Sequence, residues 1–103
     1  MGTITTITTQ EELDTAVVEA PERWHEVGDT NGVWIEAYED TRVIAHNGSL
    51  VDAYDVSHVE ARRGSWVHAR KGSWVYAHNG SHVIAADGSH VTAYEGAYVR
   101  EEG

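Results

Sequence analysis

The chain has 103 residues, with no cysteine and no phenylalanine, and a formal net charge of −10. That length is one domain's worth, near the lower end of sizes that hold a core without staples, and the lack of cysteine excludes a disulfide framework or a thiolate metal site. Ten acids against the single Arg23 leave residues 1–40 at −9, while seven acids and six bases leave residues 41–103 at −1, a sign that disfavours contact with nucleic-acid phosphates and suits a basic partner at the N-terminal part.

In chain order, the first segment alternates Thr and Ile from Thr3, which predicts a strand over residues 3–8. No secretory leader and no membrane-length apolar run is visible, so a cytoplasmic location is expected. Thr9-Gln10-Glu11-Glu12 has the T-x-x-E spacing of a capping box, in which a threonine hydroxyl and a glutamate carboxylate satisfy each other's orphan amides. It opens a helix over about residues 10–20, with Leu13, Ala16, Val17 and Ala20 on one face and Pro21 as the stop. A strand around Trp24–Val27 completes an N-terminal cap, residues 1–31.

From residue 32 the chain repeats every eight residues: GVWIEAYE, DTRVIAHN, GSLVDAYD, VSHVEARR, GSWVHARK, GSWVYAHN, GSHVIAAD, GSHVTAYE and GAYVREEG. The fourth position is Ile35 and then valine from Val43 to Val99 without a gap; the sixth is alanine until Glu101 replaces it in the last unit. Positions 2, 4 and 6 share one face of a strand, and position 3 carries residues as large as Trp34, Trp66 and Trp74, so the small set points inward. Glycine at position 1 marks the corner. One octad cannot bury its own face, so copies must stack at roughly 4.8 Å per coil into parallel sheets. The expected fold is therefore mainly β: a single-chain parallel β-solenoid over residues 32–103, with a small strand-helix cap before it. Inward residues this small favour a flat solenoid of two octads per coil over a triangular one of three; an intertwined trimer is the third arrangement. The C-terminal Glu101-Glu102-Gly103 looks like thin protection for an open sheet edge.

The unit GSHVTAYE (88–95) resembles the octads of bacterial ice-nucleation proteins, which run G-S-T-x-T-A-x-x in sixteen-residue coils, and the likeness covers positions 1, 2 and 6 over most of residues 32–99. It implies the solenoid fold. It departs at the outward positions, where the Thr-x-Thr columns are missing and Thr92 stands alone, so ice binding ranks last among the functions considered. The layout of a T-Q-E-E-L-D helix followed by V-x-A octads is also similar to small repeat proteins of actinobacteria, their phages and mobile elements, a likeness that carries no activity with it.

In the two-sided arrangement Trp34, Leu50, Trp66, His82 and Tyr98 form one outward column, and Arg42, His58, Trp74 and His90 the opposite one. Exposed Trp and Tyr are the residue types that anchor protein interfaces, and the competing reading is that stacked rings brace the solenoid itself. The candidate binding residues are thus Trp34, Trp66, Trp74, His82, His90 and Tyr98, with the acidic Glu11, Glu12 and Asp14 of the cap. Seven histidines raise the question of a metal: sixteen-residue coils put no two of them on neighbouring rungs of a column, whereas three octads per coil would stack His58 on His82 and allow one; with the two-sided form preferred, no metal or cofactor is expected. Arg62-Arg63 and Arg70-Lys71 fall in turns on opposite edges of a coil and read as solvated corners. Serines that repeat inward at every rung, on a convex rod, do not build the unequal environments catalysis needs, so no enzyme is expected. The leading expectation is a rigid protein-binding module, in its sharpest form a phage or mobile-element inhibitor of a nucleic-acid-binding enzyme, as anti-CRISPR proteins are. Pentapeptide-repeat solenoids that imitate DNA are an architectural analogue. The alternative is a self-assembling structural solenoid, a homodimer by edge or face.

Overall fold

The structure is a computed structural model that describes residues 6–38 and 40–102. One helix, α1 (Gln10–Glu19), precedes ten short strands: β1 (Trp24–Val27), β2 (Ile35–Ala37), β3 (Arg42–Ala45), β4 (Leu50–Ala53), β5 (His58–Ala61), β6 (Trp66–Ala69), β7 (Trp74–Ala77), β8 (His82–Ala86), β9 (His90–Ala93) and β10 (Tyr98–Glu102). They form two parallel five-stranded sheets, ordered β1-β3-β5-β7-β9 and β10-β8-β6-β4-β2. Val43 pairs with Val59, Val75 and Val91 in turn, and Val51 with Val67, Val83 and Val99. Neighbouring rungs are therefore sixteen residues apart, which makes the protein a β-solenoid of two octads per coil and excludes the triangular arrangement. The first coil is longer, with Trp24 beside Arg42. Of the strand expected over residues 3–8, Ile7 makes a single parallel bridge to Val27; residues 3–5 lie outside the described ones.

The period of two decides what is buried. The inward valines and alanines from Val43 to Ala77 are closed to solvent, and so are the inward serines Ser49, Ser57, Ser65, Ser73 and Ser81. A buried hydroxyl left without a partner costs about 1–3 kcal/mol. Here each serine turns its Oγ back to donate to the carbonyl three residues earlier, Ser65 to Arg62 at 2.6 Å and Ser73 to Arg70 at 2.7 Å. The repeat thus solves its polar-atom problem inside each corner, with no demand on its neighbours.

The corner glycine has a second reason beyond its left-handed backbone. Gly64 has φ +81°, and a Cβ there would sit 2.1 Å from the Asn47 side-chain oxygen of the coil before and 3.2 Å from that residue's Cα. The corners can come this close because their amides continue the ladder, Gly48 N–H to Gly64 O at 3.0 Å and Gly64 N–H to Gly80 O at 2.9 Å.

The N-terminal cap closes both sheets. Thr9 and Glu12 form the expected capping box, and Leu13 is the buried residue of α1. Ile7 closes the first sheet, accepting from Gly28 N–H at 2.8 Å and donating to Glu26 O at 2.9 Å. The edge of β2 is met by one side chain: the Gln10 amide donates to Glu36 O at 3.0 Å and accepts from Glu36 N–H at 2.6 Å. That primary amide occupies the place of a missing strand. The opposite end differs. Val83 is buried, Val91 half-buried and Val99 39 % exposed, because β9 and β10 are the last strands of their sheets.

Candidate functional site

Both outward columns form as their octad spacing predicts, and the rings in them stack. In the second sheet Trp66 lies on His82 at 4.1 Å between ring centres and His82 on Tyr98 at 5.0 Å, with planes within 11°. In the first sheet Trp74 lies on His90 at 4.2 Å and on His58 at 6.4 Å. The rung spacing of a parallel sheet, about 4.8 Å, is close to the thickness that stacked rings need, so identical positions on successive coils bring faces together. The ring stacking that the structural-brace reading requires is present at five of the predicted residues: Trp66, His82, Tyr98, Trp74 and His90. Their edges stay outside, with Trp66 43 % and Trp74 42 % exposed. Trp34 precedes β2 by one residue, next to the Ile35–Val51 pair, and is equally exposed.

Sequence reasoning missed two things. Trp24 heads the first-sheet column beside Arg42, hidden because the cap coil is two residues longer than the repeat. A second set of stacks lies along the strand ends, Tyr38 on Tyr54 at 5.5 Å and His78 on Tyr94 at 5.0 Å. Position 7 of the octad, Tyr in three units, carried that signal. Beside the tyrosine pair runs a polar network. The Arg70 guanidinium grips Asp52 with two bonds of 2.7 and 3.0 Å and lies over the Tyr54 ring, while His68 Nδ1 is 3.8 Å from the same carboxylate. Tyr38 donates its hydroxyl to Glu36, and that bond, with lesser help from burial, pushes its pKa up to about 12. Partial burial pushes the Tyr54 phenol up as well, reinforced by the charges of Asp52 and Glu36.

The acidic candidates separate into occupied and free. Glu12 is engaged by the amides of Thr8 and Thr9, which hold its carboxyl below the usual range. Asp14 accepts from the Gln10 amide at 3.0 Å, whereas Glu11 is simply exposed. The basic corners divide likewise: Arg62 pairs with Glu60 at 2.7 Å and Arg70 with Asp52. His46 and His78 each sit beside a carboxylate of the rung before, Glu26 at 2.9 Å and Glu60 at 3.2 Å. Among the described residues no group of three or more His, Asp or Glu side chains is arranged to hold a metal.

Comparison with protein-family models, curated proteins and solved structures returns no match.

Among the described residues, two concavities at the C-terminal end interrupt the convex rod assumed from the repeats. One, about 440 Å³, is the open mouth of the core, lined by Ser89, Val91, Ala93, Val99 and Glu101 among others. The other, about 490 Å³, runs along the second sheet over Trp66, His82, Ile84, Tyr98 and Arg100. No helix among the described residues is long and apolar enough to cross a membrane.

Proposed function

We propose that this protein is a non-enzymatic binding module, a rigid solenoid whose outer sheet faces dock onto another protein. The observation that carries the reading is the placement of the tryptophans. All four, Trp24, Trp34, Trp66 and Trp74, lie outward with 39–43 % of their surface exposed, and none belongs to the buried core, which is mainly valine, alanine and serine. Trp is among the residues whose truncation costs interfaces most. Trp66 and Trp74 are held in one orientation by the imidazoles stacked on them, so little side-chain freedom remains to be lost on binding. The second-sheet groove, with Trp66 and Tyr98 as apolar walls and Arg100 at its rim, suits a partner segment carrying an apolar side chain next to an acid.

A narrower form of the same reading is an inhibitor of a nucleic-acid-binding enzyme. Its support is the charge of −9 on residues 1–40, concentrated where a basic cleft could receive it. Glu11, Glu12, Asp14, Glu19 and Glu22 are all exposed; with Glu12 and Asp14 already hydrogen-bonded within the cap, Glu11, Glu19 and Glu22 are the acids chosen for charge reversal.

The test is quantitative capture from lysate with wild type, Trp66→Ala and an Arg-for-Glu triple variant at Glu11, Glu19 and Glu22, each checked for a native far-UV spectrum. A binding-face module loses its specific partner with Trp66→Ala; the inhibitor form loses it with the charge reversal and under competition by duplex DNA. A captured set identical for all three proteins ends both readings.

A further inference from the structure

At the C-terminal mouth of the solenoid β9 and β10 each present an unpaired sheet edge around an open concavity. Along β10 the Tyr98 N–H bonds Ser81 O of the previous rung, and along β9 the amides of His90 and of Tyr94, just past the strand, bond back in the same way. Hydrogen-bonding direction alternates along a strand, so the amides and carbonyls of Val91, Ala93, Val99 and Glu101 face the open edge. Side-chain direction alternates with the same period. The residues with free edge groups are therefore the inward ones that line the mouth. A strand that continues the core across this edge must likewise carry its free groups on its inward residues.

We propose that two copies meet mouth to mouth about a twofold axis lying along the strand direction, with β9 of each pairing antiparallel to β10 of the other. The solenoid supplies the reason for that axis. Successive strands climb by half a coil, so β10 stands higher than β9. A twofold along the strands opposes the high strand to the low one on both sides, and both gaps close together. A twofold across the sheets would oppose β10 to β10 and leave β9 unpaired. The in-out alternation sets inward residues opposite inward ones, and the equal octad position of Val91 and Val99 under that axis sets the register: Val91 lies opposite Val99 of the second copy as a mutually bonded pair, with Ala93 opposite Ala97 and Ser89 opposite Glu101. The new rung continues the valine column of both cores. With sheets about 10 Å apart and strands of four to five residues, each copy contributes roughly 400 Å², which is less than a permanent interface requires and makes the association reversible.

Glu101 sets its strength. In this position every earlier octad has alanine, and in the dimer the two Glu101 carboxylates face each other across the shared core. An inward charge at an edge is a known brake on sheet extension. The device is a dimer interface with a built-in restraint.

The experiment is sedimentation velocity of the full chain from low micromolar to near-millimolar concentration, for wild type, Glu101→Ala, Val99→Lys and Ala93→Lys. The expected result is reversible dimerisation of wild type, a dissociation constant lowered several-fold or more by Glu101→Ala, and loss of the dimer in both lysine variants. Val99 and Ala93 are exposed in the single copy, so the two lysines serve as independent disruptions if one of them impairs folding. Monomers throughout for wild type and Glu101→Ala would overturn the proposal. So would a dimer indifferent to both lysines but abolished by Trp66→Ala, which would move self-association to the sheet face. Neither result bears on capture of a different protein by that face.

Discussion

Two glycines with the same backbone separate the two roles of the corner. Gly32 and Gly64 have φ +83° and +81°, yet a Cβ at Gly32 meets nothing within 4 Å whereas one at Gly64 strikes Asn47. An L-residue in the left-handed region costs about 1–2 kcal/mol, and replacing glycine returns about 0.4–1 kcal/mol by restricting the unfolded chain. Gly32→Ala is therefore expected to destabilise by about 1 kcal/mol. Gly64→Ala carries the same term and must also move Asn47, whose Cγ would be 2.7 Å and Cα 3.2 Å from the new atom. Rotating the asparagine off its rotamer costs about 0.5–1.5 kcal/mol. Parting the corners further weakens two ladder bonds, Gly48 to Gly64 and Gly64 to Gly80, each worth about 1 kcal/mol. The sum places Gly64→Ala about 1–3 kcal/mol below Gly32→Ala. Urea unfolding followed by far-UV circular dichroism and tryptophan fluorescence measures both, with the slope m checked for constancy. Adding Asn47→Gly should bring Gly64→Ala most of the way back to the Gly32→Ala value. Equal losses for the two single variants, or no recovery in the double, would refute close approach of coils as the reason for the glycine.

Other consequences are as direct. Gln10→Ala strips the β2 edge of its surrogate strand and leaves the half-buried Glu36 amide and carbonyl unpaired; a loss of about 1–3 kcal/mol is expected, with Gln10→Glu, which keeps the acceptor and loses the donor, between it and wild type in the same urea titration. Tyr38 has its folded pKa raised from 10 to about 12 by the bond to Glu36, so the fold favours the neutral phenol: that stabilisation is complete below pH 10 and is lost as pH rises towards 12. Melting temperature should fall less steeply over that interval in Tyr38→Phe than in wild type, and phenolate absorbance should show one tyrosine fewer ionising late; identical alkaline profiles would contradict the assignment. Trp66→Ala should cost stability as well as binding, about 1 kcal/mol beyond its buried area from the lost stack on His82, whereas Trp34→Ala, with Leu50 next in its column, should lack that extra loss in the same melts.

The repeat could be read directly because a solenoid turns sequence period into spatial period. Eight residues per corner, a side-chain alternation of two and a ban on large inward groups were enough to predict the strands, the inward Ser-Val-Ala column, the glycine corners and the outward rows of Trp34, Trp66, Trp74, His82, His90 and Tyr98. The capping box at Thr9 and Glu12 was legible for the same reason, as a local bond pattern within four residues. What remained hidden depends on distances between coils. The octad alone is compatible with two or three faces; only the sixteen-residue pairing of Val43 with Val59 chose between them. Trp24 joined its column through an eighteen-residue coil that no repeat announces. The binding role of Gln10 rests on a helix packing across a sheet end, a contact between residues 10 and 36. Asp14 carries the same formal charge as Glu11 in the sequence, and only the structure shows that it accepts from the Gln10 amide. Sequence determines periodicity because each octad meets the same local physics; the tertiary structure decides the ends, since only there does the environment stop repeating.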